Sequence, residues 1–207
     1  MKNLFLGLLL SCCIFINCTD STAEVVLIES RFSLDSLNFP IARAGLVDLG
    51  VDLKKELYEG FMNVLLFVTE GITFSEYESG ELLLKGNGAL FGIILYSEAQ
   101  WTLNSSDYFV NLRPPFAIND IGIGFYTLDF REENVRGPYY EYEGISLLSG
   151  KMNVVNENNA MKITLEFINE FGHPIKANYT GTPQVLQSFI KPPISNKNLP
   201  YVSAIHP

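Results

Sequence analysis

From residue 58 onward apolar and polar side chains alternate along the chain, the pattern of strands with one face turned inward. The clearest run sets Met161, Ile163, Leu165 and Phe167 on one side and Lys162, Thr164 and Glu166 on the other. Ile175, Ala177 and Tyr179 repeat the pattern against Lys176, Asn178 and Thr180. Between the two runs lies the turn cluster 169–174, so an antiparallel hairpin with one wet face is expected. Residues 151–155 read as the preceding strand and 156–159 as its turn, which makes a three-strand meander.

Residues 61–68 are apolar on both parities, which predicts a strand covered on both faces. Residues 82–84 and 89–96 read as two further strands, with Gly86-Asn87-Gly88 as a turn or bulge between them. Residues 108–112, 121–130 and 139–142 follow, and a weaker strand is placed at 42–49. The expectation is an all-β body, an antiparallel β-sandwich or barrel-like sandwich of nine or ten strands. Residues 51–57 contain Lys54-Lys55-Glu56 and are assigned one or two helical turns. After Thr182 the prolines at 183, 192, 193, 200 and 207 predict an extended tail. That tail carries Val185, Leu186, Phe189, Ile190, Leu199, Tyr201 and Val202, so it should lie on the body.

The N-terminal pattern is different in kind. Lys2 precedes an uncharged, mostly apolar stretch over residues 4–16, too short for a bilayer span of ~20 residues and suited to a signal peptide. All three cysteines, Cys12, Cys13 and Cys18, fall in or just after it, so no disulfide framework holds the remainder. Phe15-Ile16-Asn17-Cys18 is read as a lipobox, with Cys18 acylated and palmitate-type chains serving as the membrane anchor. Cys12 and Cys13 are the alternatives, and each would leave Ile14, Phe15 and Ile16 exposed. The expected organisation is a leader over 1–17, a tether over 18–23, a β domain over 24–182 and the tail over 183–207, lipid-anchored at the outer membrane on its periplasmic or surface face. With 47% hydrophobic and 18% charged residues the chain is not a disordered or highly charged scaffold. Its net charge of -9 and scattered basic residues exclude nucleic acid as a partner.

The chemical inventory is sparse. His173 sits in a hairpin turn and His206 near the last residue, no cysteine follows Cys18, and no Gly-x-Ser-x-Gly elbow occurs. Neither a triad nor a zinc site is expected, and no cofactor. Glu132, Glu133, Glu141, Glu143, Asp120 and Asp129 are the carboxylates that a glycosidase could draw on, with Glu141 and Glu143 on one strand face. Glu76, Glu78 and Glu81 are a loop cluster that calcium could use. Trp101, Tyr108, Tyr126, Tyr139, Tyr140 and Tyr142 form a pool for stacking on a sugar, and Trp101, Tyr139 and Tyr140 are the chosen ligand-binding candidates.

Three stretches, Leu103-x4-Tyr108, Ser149-Gly150-Lys151-x-Asn153-Val154 leading to Ile163-x-Leu165-x-Phe167, and Gly172-x2-Ile175-x3-Tyr179-x-Gly181, resemble a group of uncharacterised lipoproteins of the Bacteroidota. The likeness spans residues 58–181, and the chain departs from it with Asn169 where the hairpin turn commonly has Asp. The resemblance implies an exported all-β domain and no particular activity. The function expected from all of this is an envelope-anchored, non-catalytic binding or assembly module with a carbohydrate or protein partner. The alternatives are a secreted glycoside hydrolase and a structural subunit of a surface polymer, the latter through strand addition by the tail. Intact mass of membrane-extracted protein should fit an acylated chain beginning at Cys18; a lipid-free chain beginning at Ala23 or Glu24 would contradict the anchor.

Overall fold

A computed structural model describes residues 29–76, 82–132 and 143–187. The described residues hold thirteen strands and no helix. These are β1 (Arg31–Leu34), β2 (Leu37–Pro40), β3 (Arg43–Val51), β4 (Phe61–Val68), β5 (Ile72–Glu76), β6 (Leu82–Ser97) and β7 (Ser106–Val110). They continue with β8 (Asp120–Arg131), β9 (Glu143–Ile145), β10 (Leu147–Glu157), β11 (Ala160–Asn169), β12 (Pro174–Gly181) and β13 (Gln184–Gln187). The all-β expectation holds. Eleven strands run as one path, β13-β3-β4-β6-β8-β7-β10-β11-β12-β1-β2, with β5 attached to β6 and β9 to β8.

That sheet curls on itself. Inner rows from β1, β3, β4, β6, β10, β11 and β12 meet in a single core holding Phe32, Leu46, Leu65, Phe67, Phe91, Ile163, Leu165 and Phe167. Rings from the two halves touch directly: Phe67 and Tyr179 have centroids 5.8 Å apart, and Phe32 and Phe91 6.1 Å. Sheets twist with a fixed hand, so a path this wide coils until its inner faces bury one another. No ladder joins the two end strands of the path, β2 and β13, so the curl is open in its backbone and closed in its side chains.

The meander expected at the C-terminal end is present. β10, β11 and β12 pair antiparallel, with Ile163 facing Val154 on one side and Tyr179 on the other. Its first turn is Asn158-Asn159, both with positive φ, the geometry of a two-residue hairpin loop. Gly150 is fixed by packing and conformation together: its φ is +129°, and a Cβ there would meet the Glu166 carbonyl oxygen at 2.2 Å.

Both faces of β4 are covered, as its unbroken apolar run predicts. Leu65 and Phe67 face the core, while Leu66 and Val68 enter two smaller clusters on the outer face. The cover comes from the ribbon of β5 and the first part of β6, which places Phe74 against that surface, and from β13, which adds Leu186. The Arg43 guanidinium donates to the carbonyls of Glu70 and Ile72 and braces the bend at the base of the ribbon.

Several sequence expectations need correction. The segments 82–84 and 89–96 are one sixteen-residue strand; of the two readings of Gly86-Asn87-Gly88 the bulge agrees with the register shift after Gly88, and the turn does not. The described strands outnumber the nine or ten expected because β1, β2, β5 and β13 were not anticipated: each has only four or five residues, where alternation is hard to see, while the strand expected at 139–142 lies outside the described residues. Residues 52–57 form no helical turn; they are a loop arranged around Asp52. Tyr108 is fully buried in the core and Tyr126 packs against it, so neither belongs to an exposed platform. The start of the tail lies on the body as β13, parallel to β3 with Gln184 beside Gly45 and Gln187 beside Asp48.

Candidate functional site

The inner rows become polar where β3 and β6 end and β4 begins. Asp48 extends the row of Ala44 and Leu46, Asn63 that of Leu65 and Phe67, and Ser97 that of Ile93 and Leu95; all three are buried. Asp48 and Asn63 are cross-strand partners. The Asn63 amide donates to Ser97 Oγ at 2.7 Å, and Ser97 Oγ donates to the Ala99 carbonyl at 2.7 Å. Gln100 Nε2 donates to Asp48 Oδ2 at 2.6 Å, while Asp48 Oδ1 accepts the Gly50 N–H at 2.9 Å. This network ties the connection after β6 over the end of the core, and Leu103 plugs the interior behind it. Asn63 Oδ1 and Asn119 Oδ1 are buried acceptors that receive no hydrogen bond from the protein.

Outside this polar end, two loops are bound together. In the loop 52–60 the Asp52 carboxylate accepts the N–H of Leu57 at 2.7 Å and of Lys54 at 3.1 Å. In the loop 111–119 the Asp120 carboxylate accepts the Asn111 amide at 2.6 Å and the Ala117 N–H at 2.7 Å. Phe116 N–H donates to the Leu57 carbonyl, Glu59 N–H to the Phe116 carbonyl, and Ile118 packs over Gly60. Tyr58, Tyr96 and Phe116 stack beneath, with centroids 5.1 and 4.7 Å apart. Burial, with Tyr58 and Asp120 nearby, pushes the Tyr96 phenol far above its ordinary range, and burial pushes Tyr108 up to about 12. These phenols stay protonated in the neutral range and act as packing groups, not as acids or bases.

The braced loops present a mixed surface: Lys54, Lys55, Glu56, Glu59 and Arg113 are exposed, and so are several apolar side chains. Leu53 is 90% exposed, Leu112 58%, Val51 43% and Leu57 41%, with Ile118 beside them. Trp101, 42% exposed with φ of +57°, follows the Gln100 that holds Asp48. Single exposed apolar residues are ordinary; several on two loops held by carboxylate and backbone hydrogen bonds make a candidate interaction surface.

Of the three ligand-binding candidates, Trp101 lies within the described residues and is exposed on the connection after β6. Tyr139 and Tyr140 lie outside the described residues, as do Cys18, Glu141, Glu133, Glu78, Glu81 and His206. Glu143 begins β9, opposite Tyr126 of β8. Asp120 and Asp129 stand at opposite ends of β8; nine residues of strand span ~30 Å, too far for a catalytic pair. Asp129 is paired with Arg131, and Glu132 accepts the Gly86 N–H. His173 is an exposed turn residue whose N–H donates to Asn169 Oδ1 at 2.8 Å, a turn-bracing bond. Among the described residues no group of three or more His, Cys, Asp or Glu side chains converges on one point that could hold a metal. Leu53, Leu57, Leu112 and Ile118 were not singled out from sequence, because exposure of a lone leucine has no local signature.

No family model, no curated protein and no solved structure matches this chain.

The loop order depends on the charge of Asp52. Backbone N–H groups, chiefly that of Leu57, hold its pKa below the usual 3.8. A depressed carboxylate contributes its bonds above the unfolded pKa and loses them as pH falls through the lower folded value. The Leu57 and Lys54 amide resonances should therefore titrate together with a midpoint below 3.8, and stop doing so in Asp52→Asn. A midpoint at or above 3.8 would show that the carboxylate does not hold the loop.

Proposed function

We propose that this chain is an exported, lipid-anchored protein of the outer membrane that binds or assembles with a partner through its loop surface and does not turn that partner over. The observation that carries the reading is the pair of cross-braced loops exposing Leu53, Leu57, Leu112 and Ile118, together with Trp101 exposed on the connection after β6. The curled sheet is filled by Phe32, Phe67, Phe91 and Phe167, so recognition falls to the loops, as is common for a rigid β scaffold. The hydrophobic leader with its terminal Cys18 supports export and anchoring, and the resemblance to Bacteroidota lipoproteins agrees with both.

The character of the surface favours a protein partner over a sugar. Aliphatic side chains complement the apolar anchors of a peptide or protein, whereas sugar sites rely on flat aromatic faces, of which this surface presents Trp101. The buried polar end keeps the Trp101 turn in place, which pre-organises the surface and lowers the ordering cost of binding. The fragment from Thr19 onward, applied to glycan and peptide arrays, should bind peptides in preference to glycans. Trp101→Ala should weaken that binding by at least about tenfold, roughly 1.4 kcal/mol. Binding to glycans alone, or binding indifferent to Trp101 and Leu53, would reject this surface as the site.

A further inference from the structure

We propose that the buried polar end of the core holds a monovalent metal cation, sodium, between the Asp48 carboxylate and the Asn63 amide oxygen. The site does not depend on the binding role of the loops. It starts from an acidic group that the fold buries without an ionic partner. Asp48 is 7% exposed, and the ion pairs among the described residues are Asp129 with Arg131 and Glu166 with Lys176. Lys54, Lys55 and Arg113 of the flanking loops are exposed, and none of them forms an ion pair with Asp48. The hydrogen bonds that Asp48 accepts come from neutral donors, the Gly50 N–H and Gln100 Nε2. A buried carboxylate is ordinarily paired with a cation, because neutral donors offset only part of its desolvation.

The neighbouring side chain adds a second oxygen with the same need. Asn63 is wholly buried and faces Asp48 across the β3–β4 ladder. Cross-strand partners hold their Cβ atoms ~4.5–5.5 Å apart, so the two side chains share one space. The Asn63 Nδ2 arm is engaged by Ser97 Oγ of β6 and by the Phe61 carbonyl. In a planar amide the oxygen arm diverges from the nitrogen arm, so Oδ1 turns away from β6 and toward β3, where Asp48 stands. It receives no hydrogen bond from the protein. Two acceptors thus meet with no protein donor between them, and their mutual repulsion is relieved by a positive charge placed between them.

The donor set selects the ion. One carboxylate and neutral oxygens carry a single negative charge, which a monovalent cation cancels; a divalent ion would leave a buried excess of positive charge. Calcium is commonly held by several carboxylates and zinc by His and Cys, and no such group is present among the described residues. Oxygen ligands suit a hard ion. Gln100 Oε1, on the amide whose nitrogen touches Asp48, is a third oxygen close at hand. Gln100 is exposed, so an ion can enter from solvent past its side chain. The local field has the matching sign: burial, followed by the charges of Asp52 and Asp48, pushes the Tyr58 phenol up. The ion would join β3, β4 and the connection that carries Trp101, so its loading would steady that turn.

The test exchanges the full chain into choline chloride and replaces that salt with sodium chloride at constant ionic strength. Sodium should raise the unfolding temperature saturably, by about 3–5 °C at roughly ten times the midpoint concentration. With the same midpoint the Gly50 N–H and the Asn63 and Gln100 side-chain amide resonances should shift, and acrylamide should quench Trp101, the sole tryptophan, less strongly. Asp48→Asn keeps the size and one acceptor oxygen but removes the charge, and should raise the sodium midpoint at least about tenfold. If that variant does not fold, the wild-type amide shifts still locate the ion. Equal stability and unchanged Asn63 and Gln100 amides in sodium and choline would overturn the proposal and leave water as the bridge. A sodium effect undiminished in Asp48→Asn would put the ion elsewhere and overturn it equally. Stabilisation by millimolar calcium with none by sodium would contradict the charge argument.

Discussion

Phe67 of β4 against Tyr179 of β12, and Phe32 of β1 against Phe91 of β6, join parts of the sheet that no hydrogen-bonded ladder joins. The curl depends on this ring contact. Burying a side chain of this size stabilises the fold by roughly 1.5–3 kcal/mol, and an aromatic pair adds about 0.5–1.5 kcal/mol. The alternative, a flat sheet of eleven strands with one apolar face open, would expose every inner row of the core. Closure by rings in place of backbone leaves two end strands on the path: β2 ends at Pro40, which offers no N–H, and β13 lies parallel on β3.

The same curl explains the outer clusters and the polar end. Once Leu65 and Phe67 turn inward, Leu66 and Val68 must turn outward, and only a second layer can cover them. The ribbon of β5 and β6 folds back to do so, and residues beneath the cover are small where a ring lies close. At Gly92 a Cβ would sit 2.2 Å from the Phe125 ring. At the far end of β4 the inner row passes from Phe67 and Leu65 to Asn63, and the network of Asn63, Ser97, Asp48 and Gln100 ends the core with hydrogen bonds instead of packing. That end holds the turn of Trp101 and adjoins the two braced loops, so the surface proposed for binding is positioned by the residues that terminate the core.

How much of this is legible in the sequence depends on whether a signal is local. In β10, β11 and β12 one face is wet, so alternation displays the strands, the turns and the buried set together. In β4 the double covering appears as a continuous apolar run. β1 and β2 are too short to alternate visibly. The loop 52–60 misleads because Lys54-Lys55-Glu56 has good helix propensity, while the decisive group is the Asp52 side chain, which satisfies backbone N–H groups in a non-helical turn. Tyr108 and Trp101 look alike in sequence as isolated aromatics. Only the pairing of Tyr108 with Met152 puts the tyrosine inside, and only the turn that follows Gln100 leaves the tryptophan outside. The leucines of the loop surface are exposed by long-range contacts between loops, which no window of residues encodes.

A double-mutant cycle on Phe67→Leu and Tyr179→Leu, followed by urea unfolding, tests most directly whether side chains from distant strands close the sheet. The two residues lie on strands that share no ladder, so coupling can arise only through the curl. The expected coupling is about 0.5–1.5 kcal/mol, with each single variant destabilised by more than that through lost burial. Additive effects, with no measurable coupling, would mean that the two halves of the sheet do not meet and that the interior described here is not the one the protein forms.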